Sequence, residues 1–250
     1  VVNRMTLTLT DNDRAMLRGD HGPATKMAMS IIARMAGVSG AKELLDIAGA
    51  HIDSTVYIGD AGLEFAERLA SLGAKVSLPT TLNVSGLDEH HWQEWAVTPE
   101  WARQAQRQME AYRSMGTIPT WTCAPYQTEE SRPKFRQQIA WGESNAIVFA
   151  NSVIGARTER YPDLFDICCA IGLHLTENRA GEVLLRLKDI PEALQQSDDF
   201  YPVLGHFIGK IARDRIPVID GLAVSPAEDQ LKALGAASAS SGGVALVHVG

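Results

Sequence analysis

The sequence predicts an α/β protein with parallel or mixed sheets covered by helices. Two observations carry that reading: extended runs alternate with stretches of helical period, the alternation that builds a sheet flanked by helices, and proline and glycine mark the boundaries where helices should begin and end. A third bounds it. A chain of 250 residues, 45% hydrophobic and 21% charged, can bury a sizeable core and stands at the upper limit of one domain.

In order along the chain, residues 1–18 are expected to be a linker or N-terminal extension, with Met5 preceded by four residues. A single region should then fill 19–250. "ATKMAMSIIARMA", Ala24 to Ala36, has apolar residues at helical spacing and predicts a core-facing helix ending at Gly37. "ELLDIAGAHID" and "STVYIG" read as extended runs, "AGLEFAERLASLGA" as a helix closed by Gly73, and "KVSLPTTLNV" as the next strand. Thr98 and Pro99 open a helix that reaches Met115 before Gly116, proline being favoured at a first helical position. Ser225, Pro226 and Glu228 form a capping-box pattern before "QLKALGAA". "GAASASSGG", Gly235 to Gly243, is expected to be a flexible connection, and "GGVALVHVG" a strand. Because Gly250 falls inside that apparent buried strand, a fragment of a larger region is expected.

The charge balance narrows the partners. A net charge of -7 and a pI near 5.5 argue against a nucleic-acid or anionic-membrane surface, which needs clustered Lys and Arg. Small molecules fit better. The apolar run Ala146 to Ala150 is far short of the roughly 20 residues of a membrane span. The N-terminus lacks the basic-then-apolar pattern of a secretory signal, so a cytoplasmic location is expected. Three cysteines, an odd number in a chain of this size, argue for reduced thiols over a disulfide framework.

The chemistry-bearing residues gather in two stretches, "TCAPY" (Thr122 to Tyr126) and "GESNAIVFANSVIGART" (Gly142 to Thr158). Proline after Cys123 denies regular structure and leaves the thiol on a loop or turn. It could be an inert core group, a thiolate ligand to iron or zinc, or a nucleophile, and neither CxxC nor HxxxH spacing accompanies it. Cys168 and Cys169 sit in the apolar, helix-like "LFDICCAIG" and read as core. Ser144 could cap a helix starting at Asn145, whose free N–H groups favour an anion. Asn145 and Ser152, seven apart, should share one helical face, with Asn151 about 100° around. Arg157 and Arg160 offer guanidinium forks suited to a carboxylate, or surface ion pairs with Glu159 or Asp163. His51 and Asp53 end the "AGAHID" strand, where ligands bind in parallel sheets. His90 and His91 lie in polar sequence and read as solvated surface. "PTTLNV" sets Thr80, Thr81 and an amide on a turn.

Taken together, "AHIDSTVYIGDAGLEFAERLASLGAKVSLPTTLNV", "MGTIPTWTCAPY" and "AWGESNAIVFANSVIGARTERYPD" resemble the large catalytic region of aconitase X, a divergent branch of the aconitase superfamily, in order from about Gly19 to Gly250. The resemblance implies an iron–sulfur hydro-lyase acting on a small carboxylate, either cis-3-hydroxy-L-proline or mevalonate 5-phosphate. "GARTERYPD" looks closer to the single-chain hydroxyproline type. It implies that Cys123 is a cluster ligand, that Ser152, His51 and Glu143 are candidates for catalysis, and that Ser144, Asn145, Asn151, Arg157, Thr80 and Thr81 bind substrate. The base is left open between Ser152 and His51. Further cluster cysteines beyond Gly250 and a small swivelling domain, fused or separate, are implied as well; near Gly172 the family carries a longer connection, so residues are expected to be missing from this chain there. The rival readings are a non-catalytic ligand-binding domain and an enzyme using Cys123 as nucleophile with His51.

Overall fold

The computed structural model describes residues 7–172, 174–176, 182–187 and 190–250. In chain order the helices and strands begin with α1 (Asp11–Arg18), α2 (Pro23–Ser39), β1 (Leu44–Asp46), β2 (Ala50–Ile52), α3 (Asp60–Ser71) and β3 (Thr80–Leu82). They continue with α4 (Pro99–Ser114), β4 (Ala140–Trp141), α5 (Ser144–Phe149), α6 (Phe165–Gly172) and β5 (His174–Thr176). The last are β6 (Glu182–Arg186), α7 (Glu192–Gln195), α8 (Phe200–Ala212), β7 (Ile216–Asp220), α9 (Glu228–Ser241) and β8 (His248–Val249). They fall into two compact units, where the sequence predicted one region. The first runs through Arg132, takes up Gln138–Gly142 and resumes at Tyr161; the second holds Pro133–Gln137, Glu143–Arg160 and the chain from Glu182.

In the first unit, β3, β2 and β4 form a parallel sheet with β2 in the centre, Ala50 level with both Thr80 and Ala140. Helix α6 packs on β2 and β4 and against α2. Ile32, Ile52, Leu69, Leu82, Tyr112, Ile167, Cys168 and Cys169 are buried in this core. A second pairing, β1 with β5, is antiparallel, which makes the fold mixed as predicted.

Several boundaries differ from the sequence reading, each for a local reason. Within the expected linker, α1 forms because Thr10 and Asp13 cap it reciprocally, Asp13 N–H donating to Thr10 Oγ1 at 3.1 Å and Thr10 N–H to Asp13 Oδ2 at 2.7 Å. Helix α2 passes through Gly37 and stops at Gly40, which takes the left-handed φ of 70° and donates its N–H to Ala36. "STVYIG" is a loop: Thr55 N–H turns back to Asp53 O, and Gln108 Nε2 of α4 donates to the carbonyls of Ser54 and Val56, so these groups are used outside any sheet. Thr80 and Thr81 lie on β3, inside the run read as the next strand and not on the turn also considered for them.

In the second unit, β6, β7 and β8 make another parallel sheet. Its core gathers Val148, Tyr201, Ile208, Ile219, Leu234 and Val247. Helix α8 and β7, both unforeseen, supply much of it. "GAASASSGG" is no flexible connection: its first seven residues complete α9. The small side chains let α8 approach closely, since a Cβ at Gly209 would stand 2.1 Å from Ser241 Oγ. Ser225 does not cap α9; Gln230 reaches back to accept from Ala227 N–H at 2.9 Å. Residues 173 and 177–181 lie outside the described residues, and with them the junction near Gly172 where residues were expected to be missing. Among the described residues, no helix is long and apolar enough to cross a membrane.

Candidate active site

The three parallel strands of the first unit end together, and the residue that follows each one faces the same edge. These are Asp53 after β2, Asn83 after β3 and Gly142 after β4. Such carboxyl ends are where open α/β sheets bind ligands. Asn83 donates its Nδ2–H to Asp53 Oδ1 and takes Val84 N–H on its own carbonyl at 2.7 Å. Asp166 comes up from the first turn of α6, fully buried, and its Oδ2 accepts the Asp53 N–H at 2.7 Å while Oδ1 accepts the Ile167 N–H at 2.7 Å. Burial pushes the Asp166 carboxyl up to about 7 against the pull of those two donors, and the charges of Asp53 and Asp163 add to the rise. Asp163 is also raised, by partial desolvation of its carboxyl and then by the charge of Asp53, although the residue as a whole is exposed.

The segment Ile118–Cys123 extends this edge. Ile118 bridges Thr81 in parallel, and Thr120 Oγ1 donates to Leu82 O at 2.9 Å. Trp121 takes a positive φ of 48°, a strained choice for a bulky residue, and its ring lies under the Arg113 guanidinium at 5.2 Å. Arg113 in turn forms a two-pronged pair with Glu89 at 3.0 and 2.7 Å. Cys123 follows, exposed, in a turn where Ala124 N–H donates to Thr122 Oγ1 at 3.0 Å. A cavity of about 460 Å³ adjoins in sequence, lined by Val84, Ser85, Leu87, His90 and Trp121.

His51 is placed differently from the sequence reading. It sits on the central strand, fully buried, its Nδ1 2.7 Å from Thr81 Oγ1 and its ring edge-on to Trp141. Burial lowers its pKa to about 4, partly offset by the Thr122 carbonyl, whose approach to the ring falls short of a full hydrogen bond. At neutral pH it is an uncharged internal partner, and an exposed base is not what this position offers. Thr80 and Thr81 are equally enclosed, Thr80 Oγ1 donating to Leu78 O at 3.0 Å. Their hydroxyls are occupied inside the sheet.

The other predicted residues belong to the second unit. Glu143, not Ser144, is the residue before α5, and it makes no side-chain cap; Ser144 is the first helical residue. Asn145 Nδ2 donates to Glu143 Oε1 at 3.0 Å. Helix α5 widens into a π turn over Ala150–Ile154, so a spacing of seven no longer repeats one face. Asn145 and Ser152 accordingly serve different neighbours, Ser152 Oγ accepting Val247 N–H at 3.0 Å. Asn151 clamps backbone: it donates to Thr158 O and Ala245 O and accepts from Thr158 N–H at 2.9 Å. Arg160 caps the end of α9 through Ala239 O and Gly242 O, forming neither of the ion pairs considered for it. The Arg157 side chain is exposed, and neither it nor Ser144 has a hydrogen-bonding partner among the described residues.

Tested as a cluster site, these residues supply one suitable ligand. Cys123 is an exposed loop thiol, whereas Cys168 and Cys169 are core groups, as predicted: burial pushes Cys168 up to about 12, and its thiol donates to Leu164 O. No group of three or more His, Cys, Asp or Glu that could hold a metal occurs among the described residues. Asp166 and Gly142 escaped the sequence reading as site residues, and Asn83 entered it only as an unspecific amide on a turn. The buried Asp in the apolar "LFDICCAIG" was its one available signal.

Comparison with known proteins bears on the whole of this arrangement. Residues 6–177 match the model of the aconitase X first domain and 181–250 that of the second domain. The chain is 46% identical over 245 residues to a cis-3-hydroxy-L-proline dehydratase of Pseudomonas aeruginosa, covering 95% of this chain and 42% of that protein. It is 40% identical to a phosphomevalonate dehydratase large subunit of Methanothermobacter thermautotrophicus, covering 96% of this chain and 61% of that one. A crystal structure of Thermococcus kodakaraensis aconitase X in its holo form superposes with a TM-score of 0.83 at 36% identity, over 97% of this chain and 61% of that one. This chain therefore spans less than two thirds of each. With family models matched over residues 6–177 and 181–250, the chain belongs to the aconitase X family.

Proposed function

We propose that this chain is the greater part of the catalytic region of a hydro-lyase that dehydrates cis-3-hydroxy-L-proline. The observation that carries the reading is the identity of 46% to a dehydratase of that name, with a strand edge carrying Asp53 and Asn83 beside the Cys123 turn as its physical counterpart. The elimination removes the proton at C2 and hydroxide at C3, giving water and an enamine that rearranges to a pyrroline carboxylate. It needs a base for the first and help for the second.

An iron–sulfur group would supply a Lewis acid for the departing hydroxide, and Cys123 is the thiolate that this chain offers it. In the second unit, Arg157 and Ser144 keep their hydrogen-bonding capacity for a substrate carboxylate, and the Ser152 hydroxyl keeps its proton to donate. Glu143 holds Asn145 in place. His51, Thr80, Thr81 and Asn151 support the frame. A small swivelling domain, fused or a separate subunit, is the expected partner, in a cytoplasmic protein that binds neither nucleic acid nor membrane.

The test is anaerobic cluster reconstitution of the complete protein and its Cys123→Ser variant, with visible absorption and dehydration of both cis-3-hydroxy-L-proline and mevalonate 5-phosphate. Loss of the cluster band and of activity in a folded variant supports the assignment. Turnover of mevalonate 5-phosphate alone would move the reading to the other branch of the family, and a wild type active without iron would remove the cluster from it.

A further inference from the structure

Asp166 is out of place for a helix built of apolar residues. It is 1% exposed, among Phe165, Ile167, Cys168 and Cys169, yet both its oxygens are engaged by backbone N–H groups. One of those groups belongs to Asp53, at the strand edge. The approach depends on Gly142: a Cβ there would stand 2.9 Å from Asp166 Oδ2 and 2.9 Å from Asp53 Cβ. Asp53 is thus gripped twice, at its backbone by Asp166 and at Oδ1 by Asn83, while its Oδ2 makes no hydrogen bond among the described residues. A half-buried carboxylate fixed on one oxygen and open on the other is the arrangement a proton acceptor needs.

We infer that Asp53 takes the substrate's C2 proton and that Asp166 is a positioning residue, holding Asp53 at the strand edge through its backbone N–H. The inference rests on the dehydratase reading. The C2–H electron pair becomes the second bond between C2 and C3 as the C3–O bond breaks; the leaving hydroxide takes up a proton from solvent to leave as water, and Asp53 returns the abstracted proton to solvent, so the net products are enamine and water. The ionisable groups around Asp166 are Asp53, Asp163, Tyr112, Cys168 and Cys169, of which the last three are kept neutral by burial. Asp166 therefore exchanges charge chiefly with Asp53 and Asp163, and its own titration near neutral pH should be felt by Asp53.

The experiment uses the complete, cluster-loaded protein. Asp53→Asn should lower kcat by about 10²-fold or more with KM little changed. Asp166→Asn should lower kcat by about tenfold and remove the inflection near neutral pH from the kcat profile, whereas a merely structural Asp166 would lower Tm and leave that profile intact. Carboxylate NMR of the ¹³C-aspartate-labelled wild type adds a readout free of activity and of variant folding: the Asp53 signal should show an inflection where Asp166 titrates. An Asp53 signal with no such inflection, or an active Asp53→Asn enzyme, overturns the inference and leaves the dehydratase reading standing. A coupled pair in a protein that dehydrates neither substrate would sink the dehydratase reading and the assignment of Asp53 as base with it, leaving only the positioning contact.

Discussion

At the scale of single residues, the site turns on an absent side chain. Gly142 has no room for a methyl group between Asp53 and Asp166, so Gly142→Ala should separate them at a cost of about 1–3 kcal/mol, the usual range for forcing extra atoms into a packed site. All five tryptophans lie in the first unit, so urea unfolding followed by tryptophan fluorescence reads this cost directly. An unshifted midpoint would mean that the two aspartates are not as close as described. The loop setting of Cys123 was legible from sequence because a proline two residues after it breaks regular structure. Asp166 was not, since its purpose is a bond to a residue 113 positions away.

At the scale of elements, local rules succeeded where a helix carries its own signals. Thr98 caps α4, accepting Trp101 N–H at 3.3 Å, and Pro99 begins it, as the sequence predicted. Thr98→Ala should therefore cost about 1 kcal/mol, with Thr98→Ser restoring most of it, in the same urea measurement. Local rules failed where a partner decides. The small residues of Gly235–Ser241 look flexible in isolation, yet they complete a helix because α8 packs against them. Similarly, the seven-residue spacing of Asn145 and Ser152 assumed a uniform α-helix, and the π turn over Ala150–Ile154 breaks that period.

At the scale of the whole molecule, two buried groups give the stability opposite slopes with pH. His51, lowered to about 4, resists the proton that the unfolded chain takes up below pH 6.5, so stability falls as pH drops from 6.5 to 4, by on the order of 3 kcal/mol. Asp166, raised to about 7, keeps a proton that the unfolded chain releases above its ordinary value of 3.8. Its stabilisation is complete below that value and is lost as pH rises to 7, by on the order of 4 kcal/mol. Between pH 4 and 6.5 the two largely cancel. In Asp166→Asn only the His51 slope remains, and urea unfolding across this window should show stability rising with pH more steeply than in the wild type. Parallel curves would mean that Asp166 does not titrate as its burial implies.

The sequence by itself determined the fold class, the family resemblance, the capped helix α4 and the loop character of Cys123, because alternation of periods, caps and proline act within a few residues of one another. Only the tertiary structure decided that His51 is enclosed and neutral, that Asn151 and Arg160 hold backbone, and that Asp53, Asn83, Gly142 and Asp166 meet at one strand edge. Those assignments depend on burial and on partners brought together by the sheet register, which places Ile52 level with Leu82 although 30 residues separate them in sequence.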